Sequence, residues 1–180
     1  MPGRAPTSDR RTRRLPAVVR DECRRRRAEL IARAEVPWLD LARPDGDTAR
    51  ASGRAQAVVG VLALAATDDP AALLERARAD LAPGGRLLLF EPYRPAGWAG
   101  RFARRTAPLV RACTGLRTDH PVPALVRRAG FVIATIERVT MPTPIAPLRS
   151  FCLVVTCPVG DDRPGTVDAV VGAGATGVRS

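Results

Sequence analysis

The sequence predicts an α/β protein with parallel strands, and three features of residues 57–93 carry that expectation. Val58 to Ala65 is apolar without alternation, the pattern of a strand covered on both faces. Leu73, Ala77 and Leu81, with Leu74 beside them, form one apolar stripe at helical spacing. Leu87 to Phe90 is a second continuous apolar run, separated from the helix by Pro83-Gly84-Gly85. Strand, helix and strand in this order make one βαβ unit. Asp68 or Asp69 caps the helix ahead of Pro70, which the first turn tolerates. The two glycines turn the chain, because glycine accepts positive φ at no steric cost.

The flanking elements follow in chain order. Residues 1–14 are polar and Arg-rich and read as a flexible terminus. Residues 16–34 read as a helix, with Val19, Cys23, Leu30, Ile31 and Ala34 near one face. Asp21/Arg25, Glu22/Arg26 and Glu29/Arg33 are its favourable i,i+4 pairs. Val36 to Leu41 reads as a short strand, placed at an edge or at its own beginning by Pro37. Residues 43–54 are a polar loop. Trp98 to Cys113 reads as a helix that Pro108 kinks or breaks. Residues 158–180 shift to Gly, Asp, Val and Ala and read as a flexible tail, leaving one α/β domain over 15–157 with its core in 55–157.

Together, "Leu-x-Pro-Gly-Gly", "Arg-Leu-Leu-Leu-Phe-Glu-Pro" and "Ala-Gly-Phe" resemble landmarks of the second half of class I S-adenosylmethionine-dependent methyltransferases. The resemblance covers roughly residues 28–157 in order and spacing. It implies an incomplete Rossmann-like sheet, mostly parallel, in which Leu125-Val126-Arg127-Arg128 is a helix leading into Ala129-Gly130-Phe131, and Val132–Val139 and Phe151–Thr156 are the last two strands, paired antiparallel. In the family order 3-2-1-4-5-7-6, Val36–Leu41 would be the third strand and Val58–Ala65 the fourth. The first and second strands would be absent, and the fourth would keep an open apolar edge, which implies self-association unless residues 1–54 cover it. The family's glycine-rich cofactor loop, "Asp-x-Gly-x-Gly-x-Gly", has no counterpart before residue 57, where Gly3, Gly46 and Gly53 each stand alone.

The activity the resemblance implies is methyl transfer from S-adenosylmethionine to a small-molecule acceptor. Asp40, ending its strand, matches the acid that often holds the adenine amino group in the family. Glu91 ends the Leu87–Phe90 strand, where ligands lie in open α/β sheets. It either orients an acceptor together with the nearby Tyr93, or caps the next turn or pairs with Arg94. His120 is the only histidine. It is either the base that removes an acceptor's proton or a surface turn residue, with Thr118 and Asp119 capping a helix ahead of Pro121. Two readings from other classes stand beside the enzyme: a non-catalytic remnant or interaction module, and an Arg-driven nucleic-acid binder.

Charge bears on the last of these. The formal net charge is +11, and all 29 basic residues are arginine. Residues 1–33 hold 11 arginines and four acids, so most of the excess is terminal. Without lysine, interleaved aromatics or a recognised motif, these clusters read as a solvated helix face and codon bias rather than a polyanion site. Gly172 to Gly177 spells GxGxxG, yet only three residues follow, too few for the helix that would hold a phosphate. Cys23, Cys113, Cys152 and Cys157 have no metal-ligand spacing and read as reduced thiols. The absence of an apolar run in the first 30 residues, and the shortness of 55–66, imply a cytoplasmic protein with no membrane partner.

Overall fold

The computed structural model describes residues 14–34, 36–42, 54–94 and 97–160. Residues 1–13 of the expected N-terminal terminus, residues 43–53 of the loop, and residues 161–180 of the tail with its GxGxxG lie outside the described residues. The elements are α1 (Ala17–Arg33), β1 (Trp38–Asp40), β2 (Ala55–Val61), α2 (Pro70–Asp80), β3 (Leu81–Pro92), α3 (Gly97–Thr114), α4 (Val122–Arg128), β4 (Ile133–Thr140) and β5 (Ser150–Thr156), with a 3-10 turn at Ala146–Leu148.

The five strands form one sheet in the order β1-β2-β3-β5-β4. The β1–β2 and β2–β3 pairs are parallel, and β5 runs antiparallel to both β3 and β4. This is a mixed α/β sheet, mostly parallel at one side and closed by an antiparallel pair at the other. Both faces are covered, which is why β2 and β3 read as unbroken apolar runs. Val58, Leu87 and Leu89 pack with Leu74 and Ala77 of α2 and Val122 and Val126 of α4. Val59, Leu88 and Phe90 pack with Val19, Cys23 and Leu30 of α1 and Val110 of α3. The Phe90 and Phe151 rings stack with centroids 5.0 Å apart.

Several expectations are corrected by tertiary contacts. The edge of β2 is not open: Trp38, Leu39 and Asp40 pair with Ala57, Val58 and Val59. Leu41 N–H donates to Val59 O and Gln56 N–H to Pro37 O, extending the cover at both ends. The short strand therefore sits directly beside β2 as the edge strand of the sheet. Strand β2 ends at Val61 rather than Ala65, because Leu62 takes a left-handed backbone (φ 58) and starts a turn. Residues 83–85 do not end the pairing but bulge within β3: partners step from Leu81 to Arg86 while β2 advances only from Ala55 to Ala57. The bulge is pinned from beyond β5, since Gly84 N–H donates to Val159 O and Val159 N–H to Gly85 O. Helix α3 runs through Pro108 without breaking. Of the three i,i+4 pairs expected on α1, only Glu22–Arg26 forms; Asp21 turns to Arg24, and Glu29 to Arg25 and Arg26. Helix α4 has no side-chain cap, so Thr118 and Asp119 do not serve it.

Candidate functional site

The C-terminal ends of β2 and β3 meet at one turn, residues 62–66. Leu62 N–H donates to Phe90 O and Ala66 N–H to Leu62 O. The left-handed Leu62 turns the next amides toward β3, where Glu91 waits with no exposed surface. Its Oε1 accepts Leu64 N–H at 2.9 Å and its Oε2 accepts Ala65 N–H at 3.1 Å. The Ala63 amide contributes in the same sense. Burial outweighs these donors and pushes the Glu91 carboxyl up to about 8. Cys152, opposite Glu91 on β5, and Cys23 of α1 are both pushed up to about 12, by burial first and then by the Glu91 charge. They are thiols at neutral pH, and all four cysteines are free.

The same turn holds the His120 segment. Arg117 N–H donates to Ala65 O at 2.7 Å, and Arg111 of α3 pairs with Asp68 at 2.8 Å. His120 is half-buried, and its pKa lies below 6.5 because of burial and then the Arg117 charge. The imidazole is therefore neutral at pH 7, the form that accepts a proton. Its Nε2 and the Oγ1 of Thr118 are buried and carry no hydrogen bond. Thr118 is a residue the sequence reading missed in this role; a Thr two places before a lone His is too common a pattern to signal it.

Glu91 and His120 thus meet through one turn, although neither side chain contacts the other through any recorded bond. Asp40 and Tyr93 are held elsewhere. Asp40 Oδ2 accepts from Arg27 of α1 at 2.7 Å and Oδ1 accepts Ala42 N–H at 2.9 Å. The Tyr93 ring lies under the Arg138 guanidinium, 5.5 Å away, and its N–H donates to Ser150 O. The partners of Glu91 are backbone amides, not Arg94. A cleft of about 520 Å³ opens between α1 and the end of β4, lined by Val18, Glu22, Arg25, Val139 and Met141 among others, with none of these candidates in its wall. No group of three or more His, Cys, Asp or Glu suited to a metal ion occurs among the described residues. Among them, too, no helix is long and apolar enough to cross a membrane.

The arginine run Arg24 to Arg27 is largely engaged within the molecule. Arg24 to Arg26 pair with acids of their own helix, and Arg27 reaches Asp40. Arg26 also lies over the Phe90 ring, 5.8 Å from its centroid. Internal pairing leaves this cluster less able to neutralise phosphates.

No protein-family model matches the chain, and no curated protein matches it. Solved structures that align with it include an S-adenosylmethionine-dependent methyltransferase from Thermotoga maritima described as a possible histamine N-methyltransferase, at 16% identity and a TM-score of 0.43, covering 59% of each chain. A second, a methyltransferase of the same cofactor dependence from Methanosarcina mazei, aligns at 14% identity with a TM-score of 0.44, over 59% of this chain and 62% of that one. A third is magnesium protoporphyrin IX methyltransferase from Synechocystis with bound SAH, at 15% identity and 0.41, over 62% and 48%. The chain spans less than two thirds of the length of each.

Proposed function

We propose that this chain is a class I methyltransferase-type domain that works on the acceptor side of S-adenosylmethionine-dependent methyl transfer to a small molecule. The supporting observation is the sheet order β1-β2-β3-β5-β4 with its final antiparallel pair, the arrangement the resemblance implies, with the His120 segment bonded to the turn at the strands' C-terminal ends. Ligands of open α/β sheets bind outside those ends. In this reading His120, neutral at pH 7 with Nε2 unpartnered, takes the proton of an acceptor hydroxyl or amine. In the same reading the unpartnered Thr118 Oγ1 orients that acceptor.

S-adenosylmethionine would supply an electrophilic methyl group, but the described residues do not fit it well. The residues directly after β1 are Leu41 and Ala42, with no glycine cradle, and the Asp40 carboxylate is already engaged by Arg27 and an amide. We derive no step through the cofactor. The same observation favours a second reading, a non-catalytic module that keeps the scaffold's second half, because Asp40 and Glu91 are both satisfied from within the fold.

Isothermal titration with S-adenosylmethionine tests the proposal. Saturable heat with one-site stoichiometry supports the methyltransferase reading. No heat at a protein concentration well above the micromolar range overturns the enzyme and leaves the second reading.

A further inference from the structure

We propose that the outward face of α3 docks on an anionic lipid bilayer surface. Helix α3 is strongly two-sided. Ala107, Val110 and Thr114 turn inward and are buried, while Phe102 is 52% and Leu109 68% exposed. These two stand seven residues apart, so at about 100° per residue they fall on one stripe two turns long. Exposed single hydrophobes are ordinary on protein surfaces; their company here is not. Arg101, Arg104 and Arg105 are all exposed; Arg101 and Arg105 flank the stripe along one side, while Arg104 stands about 150° round the helix from it. The helix contains no acidic residue. Unlike the arginines of α1, these three form no ion pair among the described residues.

A helix with an apolar stripe and uncompensated cations beside it matches a bilayer interface in both chemistries. Phe102 and Leu109 enter the headgroup–acyl boundary, and the guanidinium groups donate hydrogen bonds to lipid phosphates. Nucleic acid would use the charges but leave the apolar stripe unpaid by contact. A second copy docked by a two-fold axis would bring Arg101 and Arg105 of both chains together, a like-charge arrangement that is disfavoured. The face does not cross the bilayer; it rests on it.

Co-sedimentation of the full chain with vesicles tests this. Binding is expected to vesicles of mixed phosphatidylglycerol and phosphatidylcholine and not to phosphatidylcholine alone. Replacing Arg101, Arg104 and Arg105 together by Gln should weaken binding about thirtyfold, from about 1 kcal/mol for each of Arg101 and Arg105 near an anionic surface. Phe102→Ser with Leu109→Ser should weaken it about tenfold or more, with circular dichroism unchanged because both residues are exposed. The control replaces Arg10, Arg11 and Arg13 by Gln, the same charge change elsewhere in the chain, and should matter far less. The proposal is overturned if that control equals the α3 triple, or if the Phe102/Leu109 pair leaves binding unchanged. It is also overturned if duplex DNA retains the chain as strongly as vesicles do, or if the same pair abolishes a dimer seen by sedimentation.

Discussion

The Glu91 carboxylate accepts the Leu64 N–H at 2.9 Å, joining the end of β3 to the turn that follows β2. This buried bond, with its twin to Ala65, ties together the two strands on which the candidate site rests. It also sets a pH dependence. The carboxyl is raised from 4.5 to about 8 in the fold, so between those values the folded state binds more protons than the unfolded chain. The Glu91 contribution is fully present below about 4.5 and is lost as pH rises through about 8. Urea midpoints measured at about pH 5.5 and about pH 8.5 should differ by an amount on the order of a few kcal/mol that disappears in Glu91→Gln. Cys23 and Cys152, near 12, do not titrate in that window. His120 acts with the opposite sign, since its lowered pKa makes stability rise with pH up to about 6.5. The comparison with Glu91→Gln removes it from both arms.

His120 itself is directly readable, because it is the only histidine in the chain. Its imidazole resonances should titrate below 6.5. Burial is the leading cause and Arg117 the next, so Arg117→Gln should raise the midpoint while leaving it below the free value. A midpoint at or above 6.5 in the parent protein would contradict the burial seen here.

Arg27 and Asp40 bind α1 to the edge strand, with Asp40 nearly buried and Arg27 exposed for about 41% of its side chain. An ion pair this open to water contributes about 0.5–1 kcal/mol in a double-mutant cycle. Asp40→Ala should cost more than Arg27→Ala, because Asp40 also accepts the Ala42 amide. Denaturant midpoints of the two single variants and the double decide this. Equal costs would mean the amide bond contributes nothing.

Gly130 has φ +80, and a Cβ there would overlap the Arg78 guanidinium, which donates to Ala129 O at 3.0 Å and lies 6.0 Å from the Phe131 ring centroid. Gly130→Ala should therefore destabilise by about 1–3 kcal/mol, combining left-handed backbone strain with eviction of the arginine. In an Arg78→Ala background the same substitution should cost less, since only the backbone strain remains. Thermal unfolding of the four-member cycle measures the difference.

That glycine also shows how far sequence reading reaches. Ala129-Gly130-Phe131 was legible as a helix end leading into a strand through its resemblance to a family landmark, and a helix stop by glycine is a local property. The arginine 52 residues earlier that fills the space above it is not, since nothing local links Arg78 to residue 130. Glu91 divides in the same way. Its position at a strand's carboxyl end could be read, whereas its partners depend on Leu62 taking a left-handed backbone, which a leucine's own preferences oppose. The ion pairs of α1 were misread where spacing alone was used, because competing partners at i+3, and Arg25 one turn before Glu29, are equally near.

By itself the chain determined which segments are strands and helices around the βαβ unit, and that both faces of β2 and β3 are covered. Periodicity and unbroken apolar runs are written residue by residue, and burial on two faces leaves no alternation to hide them. Only the tertiary structure decided that Trp38–Asp40 seals the edge of β2, and that the acids expected to face ligands are bonded inside the fold. Those outcomes turn on which distant backbone amides and guanidinium groups arrive within hydrogen-bonding distance. Such competition is resolved when the chain packs, not by any residue's neighbours in sequence.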